Sequence, residues 1–111
     1  MTAAELFEVV KDVPREAWPT TTTIKYYAED FDWWCTDRCH YVGSNVACLM
    51  FEASMAAWLA RRTWIVKHEY YESEGPDDTT NGGWRVDRCG GGVFEAPTRV
   101  AALAAACKEA A

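Results

Sequence analysis

Apolar positions recur at helical spacing near both ends of the chain and in its middle. Between these stretches they alternate as they do along a strand. Leu6, Val9, Val10 and Val13 fall at i, i+3, i+4 and i+7, one stripe of a helix over residues 2–13. Thr2 and Glu5 have the T-x-x-E spacing of a capping box at its start, and Pro14 ends the pattern. Residues 46–62 hold the longest periodic stretch. Val46, Leu49, Met50, Ala53, Ala57 and Ala60 form its stripe, and Phe51, Met55, Trp58 and Leu59 widen it until most of the circumference is apolar. Ser44 or Asn45 offers the N-cap, and Arg61 and Arg62 suit the negative end of the helix dipole. A last helix starts near Pro97 or Thr98, with Val100, Leu103, Ala104 and Cys107 on its inner stripe.

The remaining segments read as strands. Residues 20–27 (TTTTIKYY) are β-branched and aromatic, and neither face is strongly apolar at its start, as in an edge strand. Residues 33–43 (WWCTDRCHYVG) fit either a loop or a short strand. Residues 63–73 alternate, with Trp64, Val66, His68 and Tyr70 on one face and Ile65, Lys67, Glu69 and Tyr71 on the other. The loop at 74–83 is rich in turn dipeptides and too short for a crossover helix, so the strand from Trp84 pairs antiparallel with the one before it. Gly90, Gly91 and Gly92 lie between extended segments and read as a bend or bulge. The sum is one α+β domain over residues 1–111, an antiparallel sheet of three to five strands packed with three helices.

Composition narrows the function. Half of the 111 residues are hydrophobic, enough for a core, and no apolar run approaches the roughly 18–20 residues that cross a bilayer. The stretch MTAAELFEVVKD lacks the basic and apolar regions of a signal peptide, and the five cysteines are an odd count without framework spacing. Both features point to a reducing cytoplasm. Net charge is -6, which argues against a protein that binds nucleic acid by neutralising phosphates. That charge is concentrated: residues 1–37 carry eight acids against three bases, residues 69–78 carry five acids and no base, and the rest is net positive.

Residues 44–110 place a helix, an antiparallel hairpin and a last strand that turns through Pro97-Thr98 into an alanine-rich helix over Ala101 to Cys107. This back half resembles the ABA-sandwich type of domain found in small tailed-phage proteins; residues 1–43 fall outside the likeness. The resemblance implies a small sheet with helices on its faces and a phage accessory origin. It implies no particular chemistry.

Three constellations hold residue types that could carry chemistry. Cys35, Cys39 and His40, with His68 and Cys89 further on, are zinc-ligand types, but C-x3-C-H is not the usual knuckle and a second pair is missing, so no metal is expected. A thiol nucleophile with His40 or His68 as base has no local signature around any cysteine, so no catalytic residue and no cofactor is expected. The glycine run feeds no helix and is followed by no phosphate-binding lysine.

The acidic stretches are more informative, because both interleave with aromatics. Glu29, Asp30 and Asp32 surround Tyr26, Tyr27, Phe31, Trp33 and Trp34, while Glu69, Glu72, Glu74, Asp77 and Asp78 surround Tyr70 and Tyr71. Tyrosine and tryptophan are favoured interface anchors, and carboxylates around them steer toward a basic surface. Solvated charges over an ordinary aromatic core would give the same sequence pattern. If Trp33 and Trp34 lie on a strand they point to opposite faces, and one of them needs cover from the N-terminal helix or a partner. The expected function is a non-enzymatic, phage-encoded protein of the bacterial cytoplasm. It would inhibit a host nucleic-acid-handling complex, in the manner of an anti-CRISPR protein, by presenting Glu29, Asp30, Asp32, Trp33, Trp34, Glu69, Tyr71, Glu72, Glu74, Asp77 and Asp78 to a basic groove. The partner would be a host protein or complex, with no direct nucleic-acid or membrane contact. The alternative is an assembly subunit, such as a homodimer, that self-associates through residues 26–34.

Overall fold

Thr2 caps α1 (Ala3–Val10) as its spacing predicts. The Glu5 amide donates to Thr2 Oγ1 at 3.2 Å, and the Thr2 amide donates to Glu5 Oε1 at 3.3 Å. These bonds satisfy two of the amides that a helix start leaves unpaired. The hydrogen bond from Thr2 also holds the Glu5 carboxyl below its ordinary pKa. That contribution is present above the unfolded carboxyl's titration range and is lost as pH falls through the lowered one. Thr2→Ala is expected to cost about 1 kcal/mol, read as a lower midpoint in thermal unfolding.

The computed structural model describes residues 1–19, 24–30, 32–36, 39–62, 69–74, 80–87 and 93–110, of which 69–74 and 80–82 are described as backbone. After a 3-10 turn at Arg15–Ala17 come β1 (Ile24–Tyr27), β2 (Asp32–Cys35), β3 (His40–Val42) and α2 (Ser44–Arg61). β4 (Glu69–Glu74), β5 (Thr80–Asp87), β6 (Val93–Ala96) and α3 (Arg99–Ala110) complete the chain. The α+β class, the three helices and the antiparallel pairing are those expected. The strands divide into two three-stranded sheets, in orders β1-β2-β3 and β4-β5-β6. The expected hairpin is there, with Glu69 opposite Arg85 and Glu74 opposite Thr80, but Glu74 and residues 80–83, read from sequence as loop, belong to its strands. Thr20 to Thr23, residues 63–68, the loop at 75–79 and the Gly90-Gly91-Gly92 bend lie outside the described residues.

The helices stand between the sheets. α1 and α2 pack on β2, α3 packs on β5 and β6, and both α1 and α2 touch α3. This differs from the single small sheet with helices on its faces that the phage-domain resemblance implies. One apolar cluster runs through the molecule. Leu6, Val10 and Val13 enter it from α1 and its C-terminal turn, Trp33 and Cys35 from β2, and Val100, Leu103 and Cys107 from α3.

α2 is rotated relative to the expected stripe. Ala47, Phe51, Met55, Trp58 and Leu59 are buried, whereas Val46, Leu49, Ala53, Ala57 and Ala60 face outward, with Leu49 63% exposed. An all-round apolar helix has no strong phase in its pattern, so the larger side chains, which release more water-exposed area on burial, take the core face. Gly43, not Ser44 or Asn45, occupies the N-cap position.

Candidate functional site

β2 alternates as a strand must. Trp33 and Cys35 point inward, and Trp34 lies on the opposite face. Trp33 is wholly buried. Its indole N–H donates to the Ala3 carbonyl at 3.2 Å, and its ring meets Phe51 edge-on at 5.3 Å and tilts against Tyr26 at 5.3 Å. Trp33 is therefore a core residue held under α1, which corrects its assignment to an exposed contact surface. Trp34 is the half-buried member of the pair.

Strand register gathers the other face. Trp34 lies opposite Lys25 on β1 and Tyr41 on β3, and Tyr27 lies opposite Asp32. Residues directly opposite in an antiparallel pair share a face, so Lys25, Tyr27, Asp32, Trp34 and Tyr41 form one outward surface. Tyr27 and Tyr41 are 43% and 42% exposed. Tyr41 stands edge-to-face to Trp34 at 5.1 Å and to Tyr27 at 6.3 Å. Its hydroxyl donates to Asp30 Oδ2 at 2.6 Å, pinning the ring beside the acidic β1–β2 turn that also carries Glu29. Asp32 Oδ1 accepts the Trp33 amide at 2.8 Å. Among the described residues no helix covers this face.

The hydrogen bond to Asp30, followed by burial and the negative charge of Asp30, pushes the Tyr41 hydroxyl above the ordinary phenol pKa. A raised folded pKa means that the bond's contribution is complete below the unfolded phenol's range and is lost as pH rises through the raised one. An ultraviolet titration of tyrosinate is expected to show late ionisation of Tyr41 that moves back toward the ordinary range in Asp30→Asn.

Of the sequence-derived site residues, the structure brings together Glu29, Asp30, Asp32 and Trp34. Register alone adds Tyr41 to them. Tyr26, read from sequence as part of the same acidic-aromatic stretch, faces the core and stacks on Phe7 at 4.8 Å. Glu69, Tyr71, Glu72 and Glu74 are on β4, so the two acidic stretches lie in different sheets. Phe31, Asp77 and Asp78 lie outside the described residues.

The thiols are dispersed. Cys35 and Cys107 are buried, Cys39 is exposed and Cys48 is half-buried. Burial pushes the Cys107 thiol up to about 12, and burial, then the Glu52 carboxylate, raises that of Cys48. Both stay protonated near neutrality. Cys39 adopts a left-handed backbone (φ 52°), and its amide donates to the Thr36 carbonyl at 3.2 Å. Among the described residues no group of three or more His, Cys, Asp or Glu could hold a metal ion. His68 and Cys89 lie outside the described residues.

No family model, curated protein or solved structure matches the chain. Among the described residues no helix is long and apolar enough to cross a membrane.

Proposed function

We propose that this chain is a binding protein whose outer β1-β2-β3 face docks on a basic protein surface. The concrete version is inhibition of a host nucleic-acid-handling complex, with the chain's carboxylates occupying a groove built for phosphates. The observation that carries the reading is the open row of Tyr27, Tyr41 and Trp34 beside Glu29, Asp30 and Asp32. Large apolar rings left on an uncovered sheet face lose free energy that a partner's contact returns, and clustered exposed apolar surface marks interaction sites. The flanking acids favour a partner of opposite sign. Asp30→Lys with Asp32→Lys tests it. Capture of basic proteins from a bacterial lysate at low salt is expected to be lost, and capture that is unchanged and insensitive to salt overturns the reading.

Self-association is a second reading, favoured by the outward stripe of Val46, Leu49, Ala53, Ala57 and Ala60 on α2. Light scattering separates the two, since a stable oligomer supports assembly and a monomer supports the binding protein.

A further inference from the structure

Among the described tryptophans, Trp34 stands apart from the other four. Arg15 stacks over Trp18 at 4.0 Å, Arg62 over Trp58 at 4.1 Å, and the Arg99 guanidinium lies 5.9 Å from the Trp84 ring. Trp33 is enclosed by aromatic rings. Among the described residues Trp34 has neither an arginine nor an enclosing shell. Its ring neighbour is Tyr41, Lys25 lies opposite it on β1, and Asp32 shares its face two residues along β2.

We infer that the Trp34–Tyr41–Tyr27 row is a receptacle for an arginine side chain of the partner protein, its guanidinium stacked on the rings and paired with the carboxylates of Asp30 and Asp32. The inference rests on the docking reading above and names the side chain that the docking face selects. Three features of the face support it. First, the negative π-faces of tryptophan and tyrosine attract a cation placed within about 6 Å. Tyr41 stands at 80° to Trp34 and 81° to Tyr27, so the row offers ring surface in two directions. Second, the charge is complementary. Among the described residues, the face and its β1–β2 turn hold Glu29, Asp30 and Asp32 against the single base Lys25. Third, both features must be met by one group. A guanidinium is flat enough to stack and forked enough to bind a carboxylate at the same time, whereas an ammonium is a compact, strongly hydrated charge that responds mainly to the acids. Lys25, opposite Trp34 on β1, adds like-charge repulsion at the near end of the row and directs the incoming side chain toward the Asp30 end.

The test compares an Arg-Gly repeat peptide with its Lys-for-Arg counterpart of equal charge, titrated into the intact chain by calorimetry. The arginine peptide is expected to bind about fivefold tighter. Trp34→Leu, and separately Tyr27→Leu at an exposed position where folding is not at stake, should shrink that preference to within about twofold while leaving lysine-peptide affinity in place. Equal affinities for the two peptides, both weakened by Asp30→Asn and Asp32→Asn, overturn the arginine inference and leave the docking reading standing. If neither peptide binds above a neutral control of the same length, both fail.

Discussion

Trp33→Ala is expected to remove about 3–5 kcal/mol of folding stability, the range for truncating a large buried aromatic. A small domain holds only about 5–15 kcal/mol in total, so this one substitution brings the chain close to unfolding. The cost is high because the indole joins three elements at once. Its ring packs against Phe51 of α2, Trp18 after the 3-10 turn and Phe7 of α1, and its N–H binds the Ala3 carbonyl. Trp33→Phe keeps most of the ring and forfeits that hydrogen bond, worth about 1 kcal/mol net. Trp34→Ala one residue along removes a half-buried cross-strand partner and is expected to cost about 1 kcal/mol or less. Urea unfolding midpoints for the three variants check the order. Equal losses at Trp33 and Trp34 would contradict the assignment of one ring to the core and the other to the outer face.

Reversing Asp30 and Asp32 to lysine is expected to act mainly on association. The wild-type face carries three acids against one base, and the double reversal turns it net positive. Attraction of a basic partner becomes repulsion, and the association rate constant should fall by about tenfold or more at low salt. Added salt screens both the attraction and the repulsion, so the rates of wild type and variant should converge as ionic strength rises. The same reversal at Glu69 and Glu72, on a strand of the other sheet, reports whether the second acidic stretch shares the docking surface. A wild-type rate that does not change between low and high salt would exclude electrostatic steering. Unfolding midpoints provide the control, because Asp30 accepts the Tyr41 hydroxyl and half-buried Asp32 accepts the Trp33 amide, so a modest loss of stability is expected and is read separately from the change in association.

The parts of the fold that were legible in sequence are those with strong local rules. The capping box at Thr2 and Glu5 and the clean stripe of Leu6, Val10 and Val13 gave α1, and the short turn-rich loop gave the β4–β5 hairpin. α2 was legible as a helix but not in its rotation, because a pattern apolar on every side has no phase; side-chain size settled that. On the strand alternative for residues 33–43, the WW pair places one ring inside and one outside by alternation, and the strand is the alternative the fold takes. Which ring was which depended on where α1 and α2 lie, and no local rule holds that information. Tyr27, Asp30, Asp32 and Trp34 were visible as a cluster because a tight β1–β2 turn keeps them close in sequence and in space. Tyr41 was missed as part of the site. It joins the cluster only through the β2–β3 register, in a segment whose sequence fits loop and strand alike. Cross-strand pairing of WWC with HYV was the available signal.

α3 lays Ala102, Ala104 and Ala106 against its neighbours with almost no surface left over. Those methyl groups set the spacing of the middle layer, so the helix behaves as a thin shim. Every larger residue there would have to push α2 or the second sheet aside, and mutational drift at these sites meets a steep ceiling on size. The outward alanines of α2 meet no such ceiling. The interior of the molecule therefore tolerates little change of volume in either direction, and the outward face of α2 is where bulk can be gained.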